Sequence, residues 1–267
     1  MTEKTEAQNS RAISGIEFAD ADVVRSYVHR TNYPDGLYKR LLDVCKGRSR
    51  ALDLGCGPGQ FARWLAPHFS TVLAVDPSLA MLTLAKETDA GSNQNIEWIN
   101  TRAEDAQLGD SLDLVVAGAS IHWMDPAQIF PKLAVAMTDC GVMAIVSGDG
   151  PAQSPWIESW HGTIVEWVGH MGGTWNDAAH QSRTTAHEPW FETIGTATFT
   201  ASVVQPVEDL IDAEHSRATW ARSKMGARAD EFDADLRAVL SPFANDGKVE
   251  FDVRSSLKWG RPKSQRR

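Results

Sequence analysis

The segment ALDLGCGPGQFARWL, residues 51–65, leaves few folds open to this chain. An apolar run stops at three closely spaced glycines, and Phe61, Trp64 and Leu65 then resume at helical spacing. A strand that turns through glycines into a helix brings backbone N–H groups and a helix N-terminus up to a ligand. Glycine is needed there because the turn is tight and a Cβ would hold the ligand away. The alternation then repeats. Apolar runs at 71–76 (TVLAVD), 95–100 (NIEWIN), 111–120 (SLDLVVAGAS) and 140–148 (CGVMAIVSG) are separated by helical patterns such as LAMLTLAK. One of these helices opens on Asp125-Pro126, a cap followed by proline at the first helical position. Short apolar strands alternating with amphipathic helices define a parallel sheet covered on both faces.

The end of the chain reads differently. Val249, Phe251, Val253, Ser255, Leu257 and Trp259 alternate with Glu250, Asp252, Arg254, Ser256 and Lys258, the pattern of a strand with one solvated face. TATFTASVV (196–204) supplies another strand. The expected fold class is therefore α/β, a doubly wound, mostly parallel sheet of seven strands, with the last antiparallel pair inserted at one edge. One domain over 16–260 accommodates this, with cap helices at 16–46 interrupted near Tyr33-Pro34 and a cap insert at 151–192. A polar leader (1–15) and a basic tail (261–267) are expected to be disordered and solvated. The insert holds Trp156, Trp160, Trp167, Trp175 and Trp190. Trp156, Trp160, Ile164 and Trp167 share a helical face, which suits either a core stripe or the wall of a ligand pocket.

Composition removes several function classes. A net charge of -9 works against phosphate backbones, so nucleic acid is not expected as a substrate. Cys45, Cys56 and Cys140 show no CxxC spacing and no His/Cys cluster, so no metal site is expected and the thiols read as free. No apolar run has signal-peptide or membrane-spanning character. These features predict a cytoplasmic protein without a membrane partner; a small-molecule substrate and a monomer or homodimer are expected alongside, without following from them.

The glycine spacing, Gly55-Cys56-Gly57-Pro58-Gly59, differs from the G-x-G-x-x-G of dinucleotide binders, and no Walker lysine follows. Pro58 removes one N–H, which suits a ligand without a pyrophosphate. Asp76 ends the second strand about 20 residues on, where a carboxylate is placed to accept from both ribose hydroxyls. A solvated turn aspartate or a helix cap is the competing reading. Arg102-Ala103-Glu104-Asp105 follows the third strand and brings an acidic pair toward the far end of such a nucleoside.

Taken together, DLGCGPG, VLAVDPSLAML, RAEDAQL and DLVVAGASIHW resemble the successive motifs of the class I S-adenosylmethionine-dependent methyltransferases, whose fold is Rossmann-like. His122-Trp123 and Tyr27…Arg30…Tyr33-Pro34 resemble the narrower trans-aconitate-methyltransferase-like branch. The resemblance implies S-adenosyl-L-methionine as cofactor and S-adenosylhomocysteine as product. It assigns Asp53, Gly55, Gly57 and Gly59 to the aminocarboxypropyl end and Asp76 to the ribose. Pro77 and Met81 would pack on adenine, Ala103 and Glu104 would border its edge, and Gly118 and Ser120 would close the site beside the sulfonium. Tyr27 and Arg30 would reach over from the N-terminal segment, Arg30 toward the cofactor carboxylate.

A sulfonium methyl is already activated, so the protein must align an acceptor, exclude water and, for an alcohol or amine, remove a proton. His122, directly after the fourth strand, is the candidate base, and pocket wall is its other reading. Trp123, Trp156, Trp160 and His161 are the expected substrate pocket. His161, Glu158 and His215 are weaker bases, while His68, His170, His180 and His187 have no motif context. Arg183, Arg217 or Arg222 would anchor a carboxylate substrate, which needs no base. Three other readings stay open: cyclisation or lyase chemistry on the aminocarboxypropyl group, a non-catalytic regulator that kept the pocket, and a nicotinamide dehydrogenase, which the glycine spacing disfavours.

Overall fold

The computed structural model describes residues 20–263, so the expected leader and residues 264–267 lie outside it. Eight strands form one sheet: β1 (Arg50–Leu54), β2 (Thr71–Asp76), β3 (Ile96–Asn100), β4 (Leu112–Gly118), β5 (Met137–Ser147), β6 (Pro151–Gln153), β7 (Phe191–Pro206) and β8 (Lys248–Pro262). Their order is β3-β2-β1-β4-β5-β8, with β7 on the far side of β8. β1 to β5 run parallel, and β8 lies antiparallel between β5 and β7. The antiparallel pair therefore sits at one edge as expected. β6 is a three-residue addition that pairs with β8, and its Pro151-Ala152-Gln153 gave no apolar signal in the sequence.

Each central strand sends alternate side chains to opposite faces. Ala51, Val72, Ala74, Leu114 and Val116 meet Leu37 and Leu41 of α2 (Asp35–Val44) and Phe61 and Leu65 of α3 (Gln60–Leu65). Leu52, Leu54, Leu73, Val75 and Val115 meet Ile129, Phe130 and Leu133 of α5 (Pro126–Ala136). Burial on both faces is why these strands read as continuous apolar runs. The remaining helices are α1 (Ala21–Ser26), α4 (Leu79–Asp89), α6 (Ile157–His170), α7 (Asp177–Thr185), α8 (Val207–His215), α9 (Arg222–Met225) and α10 (Ala229–Leu240). Ser78 caps α4 through the Met81 N–H, and Asp125 caps α5 through the Ala127 N–H.

Two expectations about the periphery change. The cap is not confined to 16–46 and 151–192, because α8, α9 and α10 lie between the last two strands and complete it. Leu210, Ile211, Phe232 and Leu236 of those helices meet Trp156, Trp160, Ile164 and Trp167 in a third core, closed by Val249, Phe251 and Val253 of β8. The tail also begins later than 261. β8 continues to Pro262, and the Arg261 guanidinium donates to the carbonyl oxygens of Thr138, Asp139 and Gly141, so Arg261 is fixed rather than frayed.

Candidate functional site

The turn after β1 is anchored at both ends. Gly55 and Cys56 donate their N–H groups to the Val75 carbonyl at 2.9 and 3.0 Å, tying the turn to β2. The Asp53 carboxylate accepts from Ala62 N–H at 2.8 Å, which fixes the first turn of α3. Gly55, Gly57 and Gly59 have φ of 71°, 51° and 79°, the left-handed region where a side chain is strained. They differ in what a Cβ would meet. At Gly55 it would lie 2.6 Å from the Ser120 Cβ and at Gly59 2.5 Å from the Trp98 ring, so both serve packing. At Gly57 it would meet nothing within 4 Å. That backbone faces open space.

The open space is a cavity of about 220 Å³. Its floor is Asp53, Gly55, Cys56, Gly57, Pro58 and Phe61, its far wall is Gly118, Ala119 and Asp149, and Tyr27, Arg30, Asn32 and Tyr33 cover it. Asp76 stands behind the turn, its carboxylate accepting from Gly57 N–H and Ser78 N–H, both at 2.8 Å. Each carboxylate oxygen retains a lone pair beyond these bonds. Burial raises the Asp76 carboxyl above its ordinary range, against the lowering effect of the two N–H donors. The turn and ribose readings of Asp76 are thus compatible, because the carboxylate shapes the turn and still has acceptor capacity.

Asp53 titrates abnormally. Burial, aided by the Asp76 charge, pushes its carboxyl up to about 7, against the Ala62 N–H bond. A raised folded value means the native state holds a proton that the unfolded chain releases near pH 4. The favourable contribution is complete below pH 4 and disappears as pH rises through about 7. Asn at position 53 has no such titration. Asp53→Asn is therefore expected to gain stability relative to the wild-type protein as pH rises from 4 to 7. The gain amounts to a few kcal/mol, since each tenfold change in proton affinity is worth about 1.4 kcal/mol. Urea denaturation of both proteins across that range checks it, and a difference independent of pH contradicts the assignment.

Arg30 reaches the cavity but is heavily engaged. Its guanidinium donates to Asp149 Oδ2 at 2.9 Å, Ser216 Oγ at 2.7 Å and the Tyr27 hydroxyl at 3.1 Å, and lies 4.1 Å over the Tyr27 ring. Burial pushes the Asp149 carboxyl up, but Arg30 and Arg217 together hold it below the usual range. Arg217 also pairs with Glu214 at 3.0 Å. Asp149 was missed in the sequence, although a carboxylate just past the fifth strand stands where parallel sheets of this kind bind ligands.

Other expected site residues serve the scaffold. Met81 is 1% exposed and meets Val23 and Ala221, joining α4 to α1 instead of lining the cavity. Ala103 is buried among the residues around α5. The Glu104 carboxylate accepts from Asp125 N–H at 2.7 Å and faces Arg102 at 3.3 Å, so it braces the start of α5. Ser120 Oγ donates to the Leu54 carbonyl at 2.5 Å, locking β4 to the end of β1. Pro77 is exposed beside Asp76.

The expected substrate wall is largely displaced. Trp156 and Trp160 are 1% and 5% exposed within the third core, because α8 and α10 bring apolar faces against their stripe, so neither lines the cavity. His161 is exposed, with its ring 5.3 Å from that of Trp175. His122 and Trp123 occupy the turn after β4, rings 5.0 Å apart, and the Arg183 guanidinium of α7 lies 5.6 Å over Trp123. His215 is fully buried, with one ring nitrogen 2.6 Å from the Trp220 carbonyl and the other 2.7 Å from Asp233, which also binds Arg222. With both nitrogens engaged and no exposed surface, His215 is not available to a substrate, while the half-buried Arg222 is paired with Asp212 and Asp233. Among the described residues, no group of His, Cys, Asp or Glu is arranged to hold a metal ion, and no helix is long and apolar enough to cross a membrane.

A parallel sheet carrying an open glycine turn at β1 and a buried carboxylate at the end of β2 defines a nucleoside-binding α/β protein. Residues 51–139 match the family model described as Methyltransferase domain. Trans-aconitate 2-methyltransferase of Variovorax paradoxus is 34% identical over 125 residues, 41% of this chain and 47% of that protein. An uncharacterized methyltransferase of Mycobacterium bovis is 30% identical over 151 residues, 53% of this chain and 74% of that protein. A solved structure from Anaeromyxobacter dehalogenans, assigned to the type II methyltransferases, superimposes with a TM-score of 0.66 at 22% identity over 87% of this chain and 97% of that one, a likeness of fold. The chain belongs to the S-adenosylmethionine-dependent methyltransferases. It spans about half the length of several other curated relatives it matches.

Proposed function

We propose that the protein transfers a methyl group from S-adenosylmethionine to a small-molecule acceptor at an oxygen, nitrogen or carboxylate. The observation that carries this is Gly57, whose left-handed backbone faces the open cavity while its N–H is held by Asp76. The residues present fit the cofactor. Gly57 leaves room for its aminocarboxypropyl chain, Asp76 offers unused lone pairs to the ribose, and Pro77 is exposed beside Asp76. Arg30, balanced by Asp149, stands in the cover of the cavity and supplies the cation facing the cofactor carboxylate. When bound, the sulfonium supplies an activated methyl that needs alignment with a nucleophile more than acid or base assistance.

The chain supplies that alignment through Gly118 and Ala119 on one wall and the Tyr27 to Tyr33 cover, which also excludes water. His122, three residues past Ala119 in the turn after β4, takes a proton from an alcohol or amine acceptor. His122→Gln is expected to lower kcat about a hundredfold with cofactor affinity unchanged. A drop in affinity with kcat preserved contradicts the base role. A small acceptor agrees with the net charge of -9 and with the name of the Variovorax relative. Incubation with methyl-labelled cofactor and a panel of small acids, phenols and amines tests the reading. Label in a small product supports it. Label in protein or nucleic acid, or fragments of the aminocarboxypropyl chain, contradicts it.

A further inference from the structure

The sheet has two edges of different character. β3 is five residues long and carries Glu97 (Ile96–Asn100), the short and charged form that resists pairing with another chain. β7 runs for sixteen residues, and from Thr193 through Pro206 it has no charged side chain. Among the described residues only β8 pairs with it, so its outer row of N–H and C=O groups faces outward. Its single irregularity, at Ile194, lies near one end.

The strand is also close to palindromic. Thr196-Ala197-Thr198-Phe199-Thr200-Ala201-Ser202 reads nearly the same in both directions about Phe199. If two copies of β7 pair antiparallel about a two-fold axis at Phe199, Thr198 stands opposite Thr200 of the second copy, Ala197 opposite Ala201 and Thr196 opposite Ser202. Two residues further out, Ile194 meets Val204. These are two of the few large apolar side chains the protein exposes, at 64% and 62%. Val204 lies on the same exposed face as the threonines, Ile194 is exposed where the pairing with β8 shifts, and the proposed pairing brings the two together twice across the axis. Phe199 on the opposite face packs toward Gly36 of α2 and stays inside its own chain.

We propose that a second copy of this chain occupies the β7 edge, giving a two-fold dimer whose sheet continues from one protomer into the other. Matching side chains across the axis, the threonine ladder and the absence of any like-charge pair all favour self-pairing over a foreign strand. The register is fixed by the apolar pair, because a slip of one residue sends Ile194 and Val204 to opposite faces.

The experiment is sedimentation velocity of the full chain over a wide concentration range, with three variants. The wild-type protein is expected to sediment as a dimer. Ile194→Lys and Val204→Glu each remove an exposed apolar contact twice across the axis, and each raises the dimer dissociation constant about tenfold. The double variant sets Lys against Glu in both places and recovers most of the wild-type affinity. Unchanged circular dichroism and S-adenosylhomocysteine affinity show that the variants remain folded. A monomer at every concentration overturns the proposal. So does a dimer indifferent to both single variants, or a double variant no tighter than the singles.

Discussion

Replacing Asp76 by alanine is expected to weaken S-adenosylhomocysteine binding by about a hundredfold or more. The carboxylate has two jobs. Toward the protein it accepts from Gly57 N–H and Ser78 N–H; in the proposed site its remaining lone pairs would accept from the two ribose hydroxyls. Hydrogen bonds to a charged acceptor contribute about 1.5–3 kcal/mol each, and two of them convert to at least about two orders of magnitude in affinity. The loss is compounded because the turn no longer has its internal acceptor, leaving two N–H groups unsatisfied. Asp76→Asn separates the contributions. It keeps an acceptor for one turn N–H but lacks the charge, so it should be nearer to wild type in stability than in affinity. Because burial raises the Asp76 carboxyl, affinity should also decline on acidification at a higher pH than an ordinary aspartate would dictate. Calorimetric titration of the three proteins measures all of this, and an alanine variant that binds as tightly as the parent removes the ribose assignment.

The second large effect is expected at Gly57. Valine there has two consequences of different size. Holding a non-glycine residue at φ 51° costs roughly 1–2 kcal/mol, more for a β-branched side chain, which is read as a lowered melting temperature. A Cβ at this position meets no protein atom within 4 Å, so the backbone strain is the main cost to the fold. It occupies cavity space instead, and ligand binding should be lost at any practical concentration. Gly59→Val is the contrast. Its side chain strikes the Trp98 ring, so stability is the main casualty. Melting curves with and without S-adenosylhomocysteine distinguish the two, since only a protein that binds the ligand is stabilised by it. A Gly57→Val protein that still shifts its melting temperature with the ligand contradicts the cradle.

Much of the sheet was legible because both faces of a parallel strand are buried, which writes the strand into the sequence as an unbroken apolar run. The glycine turn was legible for the same local reason, as Gly55, Gly57 and Gly59 answer to backbone conformation. What the sequence hid were partnerships between distant segments. Trp156 and Trp160 carry a helical stripe that fits a pocket wall and a core equally well. Only the arrival of α8 and α10 from the far side of β7 decides for the core. Glu104 reads as a free acid until Asp125, twenty-one residues on, presents its N–H. Arg30 reads as a lone cation until Asp149 and Ser216 close around it. Asp149 itself escapes notice since no local pattern marks a single aspartate between glycines. Short strands such as β6 escape for want of an apolar signal.

Central to all of this is a nucleoside thioether lying in the cavity over Gly57. The most direct test is a crystal structure of the protein grown with S-adenosylhomocysteine. The expected density places both ribose hydroxyls within hydrogen-bond distance of the Asp76 carboxylate, with the sulfur toward Gly118 and Ala119. A nucleoside bound elsewhere on the protein, or a cavity that stays empty at saturating ligand while Asp76 keeps only its two backbone donors, would contradict it.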